Sequence, residues 1–116
     1  MAEQVPKEKK IKEIAFWDVD EDLKPYSRDK VLKGQAAGQY TAIIKFLSDN
    51  EMFKKKRSAV DANGKLLIRQ VFAGDLTDEG IAFVKAAHSA WFESKASAKD
   101  PSNTALLEKY LGKVRG

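Results

Sequence analysis

Apolar residues along this chain first alternate, then recur at helical spacing, then alternate again, and those changes of period lay out its elements. Residues 12–19, KEIAFWDV, are aromatic and β-branched, the composition of a strand. Ala15, Trp17 and Val19 fall on one face and Ile14 and Phe16 on the other, so the strand is expected to be covered on both sides. DEDLKPYS follows as an acidic loop that Pro25 keeps out of regular structure. Ser27 is placed to cap a short helix through Lys33, with Val31 and Leu32 as its apolar contacts. Gly34 and Gly38 each cost up to ~1 kcal/mol against alanine in a helix, and a turn is expected between them. From Gln39 the helical period returns, with Tyr40, Ile43, Ile44 and Leu47 at i, i+3, i+4 and i+7.

Residues 57–60 and 65–72 flank DANG, and Asn-Gly tolerates the positive φ of a tight two-residue hairpin turn. With Asn63 and Gly64 as the loop, Val60 lies opposite Leu67, Ser58 opposite Arg69, and Ala59 meets Ile68. One hairpin is not stable by itself, so it must pack on the helices or pair with the first strand. DLTDEGIAF opens a helix: Thr77 caps it, Asp78 and Glu79 complement its dipole, and Leu76 is positioned to staple onto Ile81. Ile81, Val84, Ala87, His88 and Trp91 share one side of that helix, widened by Phe83 and Ala90, which predicts a buried Trp91. In DPSN, Asp100 caps a last helix with Pro101 at its first position, and Leu107, Tyr110, Leu111 and Val114 form its inner face. The expected architecture is α+β: a flexible charged tail at 1–10, then one small domain at 11–116 with helices packed on a short antiparallel sheet containing a hairpin.

Composition removes whole classes of chemistry. Cysteine is absent, which excludes disulfides, thiolate zinc sites and cysteine nucleophiles. MAEQVPKEKK lacks the apolar core of a signal peptide, and no apolar run approaches the ~20 residues that span a bilayer, so a soluble, cytoplasmic protein with no membrane partner is expected. The net charge of +4 is unevenly placed. Residues 54–69 hold six cations, Lys54, Lys55, Lys56, Arg57, Lys65 and Arg69, against the single anion Asp61, which leaves the rest of the chain slightly acidic.

Several constellations have a plainer reading than the chemistry they suggest. Asp18, Asp20, Asp22 and Asp29 match the first, third, fifth and twelfth places of a calcium loop. Leu23 stands where the sixth place needs glycine for its sharp turn, however, and Asp29 is shorter than the bidentate glutamate of the twelfth, so tight calcium binding is not expected. His88, the single histidine, sits on an apolar helix face without companion ligands and reads as a packing residue. SRDK fits Ser-x-x-Lys without that motif's companions. Gly34, Gly38, Gly64 and Gly74 are isolated and build no phosphate loop. With no nucleophile and base to name, neither enzymatic activity nor a cofactor is expected.

The run KKKR fits a solvated strand edge, a localisation signal or a phosphate-contacting surface. Its context, a cationic hairpin beside an amphipathic helix, favours the last, because a wing presents charge to a nucleic-acid backbone in this way. The succession SRDKVLKG, turn, QYTAIIKFLSDN, MF, KKKRSAVDANGKLLIRQVF and LTDEG resembles the winged-helix domain of multiple-antibiotic-resistance-type regulators over about half of the chain. Leu47, Met52, Phe53, Asp61, Leu76, Thr77 and Gly80 occupy the matching places. The resemblance implies a winged-helix fold and DNA binding. The chain departs from the family where Ala42 and Phe46 replace the polar residues of a recognition helix, where a strand precedes the first helix, and where long dimerisation helices do not appear. Two functions therefore stand open. One is a small nucleic-acid-binding domain that contacts mainly phosphates through Lys54, Lys55, Lys56, Arg57, Lys65 and Arg69. The other is a protein-interaction module, an adaptor or an inhibitor, that sets the same hairpin against an acidic protein partner.

Overall fold

The computed structural model describes residues 15–115, so the expected tail at 1–10 and the start of the expected strand at 12–14 lie outside the described residues. The elements are strand β1 (Ala15–Asp18), helix α1 (Val19–Leu23), helix α2 (Lys30–Asp49), strand β2 (Gln70–Phe72) and helices α3 (Asp78–Glu93), α4 (Lys95–Lys99) and α5 (Ala105–Arg115). Tight 3₁₀ turns fill Lys24–Tyr26 and Ala73–Asp75. The domain is α+β and mostly helical, with one two-stranded antiparallel sheet.

β1 pairs with β2 in the register Trp17 with Val71 and Asp18 with Gln70, and a bulge lies between Ala15 and Trp17. The strand that follows the basic hairpin thus joins the first strand, as an otherwise unsupported hairpin requires. Trp17 is buried, and its indole Nε1 donates to Nδ1 of His88 at 2.8 Å, so the lone histidine packs against the sheet. Regular β-structure ends at Asp18, earlier than the sequence suggests, because Asp18 turns the chain by accepting from the Glu21 amide and capping α1. The expected acidic loop is therefore a turn of helix and a 3₁₀ turn, anchored by the buried Val19 and Leu23.

The largest correction concerns α2. The expected short helix, turn and second helix form a single helix of 20 residues, running without a break through Gly34 and Gly38. Asp29, not Ser27, caps it, accepting from the amides of Val31 and Leu32. Glycine weakens a helix by about 1 kcal/mol at most, and the buried stripe of Ile43, Ile44, Phe46 and Leu47 outweighs that cost. Gly38 has a packing role: a Cβ there would come 2.9 Å from Pro101 Cγ. Gly34 faces open space.

A buried polar junction follows on α2. Gln39 Nε2 donates to the Trp91 carbonyl at 3.2 Å and to Ser97 Oγ at 2.8 Å, Ser97 Oγ donates to the same carbonyl at 2.6 Å, and Trp91 Nε1 returns a bond to the Gln39 carbonyl at 2.9 Å. Trp91 is fully buried, as its place on the α3 stripe predicts, and Phe83, expected at the edge of that stripe, lies in the core. Ser94 ends α3 and caps α4, a helix not foreseen from the sequence. The last helix begins at Ala105 rather than at Pro101, since Asp100 and Asn103 spend their side chains on amides two residues ahead, of Ser102 and Ala105. Its Leu107 is buried against α3, with Tyr110, Leu111 and Val114 packed partly on the core.

The expected hairpin is also corrected and shifted in register: 57–60 and 65–69 form no regular strands and meet only at an isolated bridge between Val60 and Leu66 outside the sheet, with Lys54, Lys55, Lys56 and Arg57 in the loop before it. Its loop has three residues, not two: Asp61 pairs with Lys65 through the amide-to-carbonyl bond at 2.9 Å, and Gly64 takes φ +81° while Asn63 stays at negative φ. The Asp61 carboxylate accepts from the amides of Asn63 and Lys65, which favours the longer turn. Val60 therefore faces Leu66 instead of Leu67. The one-residue shift buries Leu66 and Ile68 and leaves Leu67 outside.

These two glycines give opposite expectations. Gly34→Ala should raise the unfolding free energy by about 0.5–1 kcal/mol. Gly38→Ala should lower it by about 1–3 kcal/mol through collision with Pro101. Equilibrium denaturation of both variants measures the difference.

Candidate nucleic-acid interface

The basic segment is suspended between two closed helix ends. α2 stops in a Schellman motif: the Met52 amide donates to the Leu47 carbonyl at 2.9 Å and the Glu51 amide to the Ser48 carbonyl at 3.2 Å, with Leu47 and Met52 both buried. Glu51 holds the left-handed position at φ 60°, where glycine is usual. The Met52 carbonyl then accepts from the Thr77 amide at 2.9 Å at the start of α3, Phe53 bridges Leu76, and the Lys54 amide donates to the Asp75 carbonyl at 2.8 Å. This approach demands Gly80, since a Cβ there would lie 2.7 Å from the Met52 carbonyl oxygen. The Leu-Thr-x-x-Gly pattern thus has a steric reason, and Thr77 Oγ1 completes it by accepting from the Gly80 amide.

Beyond this anchorage the chain turns outward. Lys54, Lys55, Lys56 and Arg57 are exposed and share the wall of a cavity of about 510 Å³ with Gly74 and Asp75. Ser48 Oγ donates to the Arg57 carbonyl at 2.5 Å, and the Arg57 guanidinium lies over the Phe53 ring at 5.7 Å, so the loop returns to α2 before the hairpin begins. The remaining two expected cations part company. Lys65 is exposed at the hairpin loop. Arg69 is half-buried, with its carbonyl accepting from the Val19 amide and its guanidinium bound to the Asp20 carboxylate through Nε and Nη2. Arg57 and Arg69 meet at a second cleft of about 430 Å³, across from Asp20 and Asp75.

Charge matching within this region was not legible locally. Asp75 approaches Arg57 at 3.9 Å, and Asp20 claims Arg69. Among the described residues, none of the ion pairs involves Lys54, Lys55, Lys56 or Lys65. The Arg69 hydrogen bond holds the Asp20 carboxyl below its usual range, and Arg115 does the same for Glu79 at the start of α3. The carboxylates of the calcium-like spacing have separate tasks: Asp18 and Asp29 cap helices, Asp20 binds Arg69, and Asp22 accepts from the Tyr40 hydroxyl at 2.7 Å. Burial, and then Asp22, push the Tyr40 phenol above its usual value. Among the described residues no group of three or more histidine, aspartate or glutamate side chains is arranged to hold a metal ion, and no helix is long and apolar enough to cross a membrane.

The face of α2 that a winged-helix alignment turns toward bases is otherwise engaged. Phe46 is buried and stacks on Phe83 at 5.3 Å between centroids, and Ala42 is half-buried. Pro101, Ser102 and Thr104 form the opposite wall of the groove beside them. Comparison with protein-family models, curated proteins and solved structures finds no match to this chain.

Glu51→Gly should raise stability by about 0.5–1 kcal/mol, because it relieves a left-handed non-glycine residue without touching the core; thermal or chemical denaturation reports it. A second expectation concerns acid. Carboxyls whose native values are depressed contribute stability that is present above the unfolded range near pH ~4 and lost as pH falls through the native value. The melting temperature should therefore decline on acidification below about pH 4. Added salt and the double variant Asp20→Asn, Glu79→Gln should both flatten the decline, since both pairs are exposed and screened.

Proposed function

We propose that this chain is a small, non-enzymatic nucleic-acid-binding domain that grips mainly the phosphate backbone through a cationic loop; the helix-turn-helix that a winged-helix domain requires is replaced by the single helix α2. The observation that carries the reading is the gathering of Lys54, Lys55, Lys56 and Arg57 around one open cavity, on a loop whose two ends are tied to buried residues. Cations on an anchored loop lose less freedom on binding than cations on a free tail, and each phosphate they neutralise releases a condensed counterion. Lys65 at the hairpin loop extends the contact. Base reading is expected to be weak, because at the α2 positions expected to face bases Phe46 is turned into the core and Ala42 carries no polar group. A second reading, an interaction module for an acidic protein partner, is favoured by Leu67, which is 52% exposed on the same hairpin and would be buried by a protein but not by a phosphate backbone.

With four or five cations engaged, log affinity for duplex DNA should fall against log salt with a slope of about −4. Lys55→Ala with Lys56→Ala should make the slope shallower by about 2 and leave the melting temperature unchanged. Absence of DNA or RNA binding at ~50 mM salt would overturn the nucleic-acid reading. Slowed association of that same variant with an acidic protein would then support the second.

A further inference from the structure

Two arginines of unequal availability face the cleft between the basic loop and the sheet. Arg69 spends Nε and Nη2 on the Asp20 carboxylate, and Gln70 Nε2 beside it donates to Asp18 Oδ2 at 3.0 Å. Arg57 is differently placed. Its nearest carboxylate oxygen, Asp75 Oδ2, lies 3.9 Å away, beyond hydrogen-bonding reach, and that oxygen already accepts from the Phe72 amide at 3.1 Å. Phe53 supports the Arg57 guanidinium from below, and the group borders both the 430 Å³ cleft and the 510 Å³ cavity of the lysine loop. Arg57 is thus held in position with its charge offset and its donor groups unspent on Asp75.

We infer that Asp75 and Asp20 are internal counter-anions standing where phosphate oxygens would stand, so that the domain takes a phosphodiester backbone by exchange. The backbone displaces Asp75 from Arg57 first, while Asp20 keeps Arg69 in reserve. This deepens the nucleic-acid reading of the site and rests on it. Its physical content is that affinity is limited by carboxylates of the chain itself: an arginine must give up its internal anion before it takes a phosphate, which offsets part of the gain, whereas an unpaired lysine gives up nothing. The anchorage makes the exchange selective, because Asp75 is fixed by the Phe72 amide and its backbone carbonyl by Lys54, and cannot follow the arginine outward.

The test compares the wild type with Asp75→Asn, Asp20→Asn and a control, Glu93→Gln, which makes the same change of net charge on an exposed residue at the end of α3 outside both cavities. Asparagine keeps the acceptor that binds the Phe72 amide, and melting curves verify that each variant is folded. Titrations use a short labelled DNA duplex over a range of salt, and inorganic pyrophosphate followed through the side-chain Nε–H signals of Arg57 and Arg69. Asp75→Asn should tighten duplex binding about 2- to 5-fold, the scale of one exposed ion pair. Asp20→Asn should steepen the salt slope by about 1 and bring the Arg69 signal into the pyrophosphate response. The inference is overturned if both variants match the wild type toward duplex and pyrophosphate, or if Glu93→Gln raises affinity as much as they do. If duplex binds to none of the proteins but pyrophosphate shifts Arg57 more tightly in Asp75→Asn, counter-anion exchange stands and the nucleic-acid function falls.

Discussion

A buried amide and a buried indole clasp the domain where three helices meet. Gln39 lies mid-way along α2 with its side chain out of water, so each of its polar groups needs a partner or costs about 1–3 kcal/mol. Those partners are the Trp91 carbonyl, which in the last turn of α3 also accepts from the Ser94 amide, and Ser97, within α4. The indole of Trp91 answers with a bond to the Gln39 backbone, and no buried side-chain polar atom among the described residues lacks a partner. This exchange sets how α2 is rotated. With Gln39 facing Trp91, the positions four, five and eight residues further on, Ile43, Ile44 and Leu47, turn to the core, and the helix must end where Met52 can meet Gly80.

From that meeting point the basic loop acquires its form. Met52 and Phe53 are buried, the Met52 carbonyl is taken by Thr77, and Gly80 has no side chain to hold the two segments apart. The next four residues cannot enter the core, being cationic, and so line its outside. Arg57 lies over Phe53 with Asp75 as its carboxylate neighbour and Arg69 binds Asp20, whereas none of the ion pairs among the described residues involves the loop lysines. The surface is therefore graded, from unpaired lysines on the loop to a sequestered arginine on the sheet. A count of charges along the chain does not contain that gradation, and it bears directly on how many phosphates the domain can neutralise.

The aromatic side of the molecule has a different character. Trp17 stacks on His88 and donates to its Nδ1, Phe92 packs edge-on to the indole, and Tyr40 closes the group while its hydroxyl reaches Asp22. The histidine accepts through Nδ1 and so carries its proton on Nε2 when neutral. This cluster joins β1, α2 and α3 beside the Gln39 junction, since Tyr40 and Phe92 follow Gln39 and Trp91 in the chain, and it uses the lone histidine as a packing and bonding residue between a strand and a helix.

Features settled within a few residues were readable from the chain itself. Thr77 followed by two acids and Gly80 specifies a helix start, a tryptophan on the stripe of Val84 and Ala87 is buried, and a glycine after Asp-Ala-Asn supplies the positive φ of a turn. Capping, periodicity and turn conformation act over one or two helical turns and need no distant partner. Where a local preference is weak, tertiary contacts decided the outcome. Gly34 and Gly38 suggested a break that the buried face of α2 overrides, and Pro101, far along the chain, occupies the space Gly38 leaves. The hairpin register slipped by one residue because Asp61 binds two amides of its own loop, and because Leu66 and Ile68 rather than Leu67 had to face inward. The six cations were evident in the sequence, but their division into available and offset charges was not. It depends on Asp20 and Asp75, carboxylates brought beside Arg69 and Arg57 by the sheet pairing and by the 3₁₀ turn after β2, and Coulomb attraction answers to distance in space rather than along the chain.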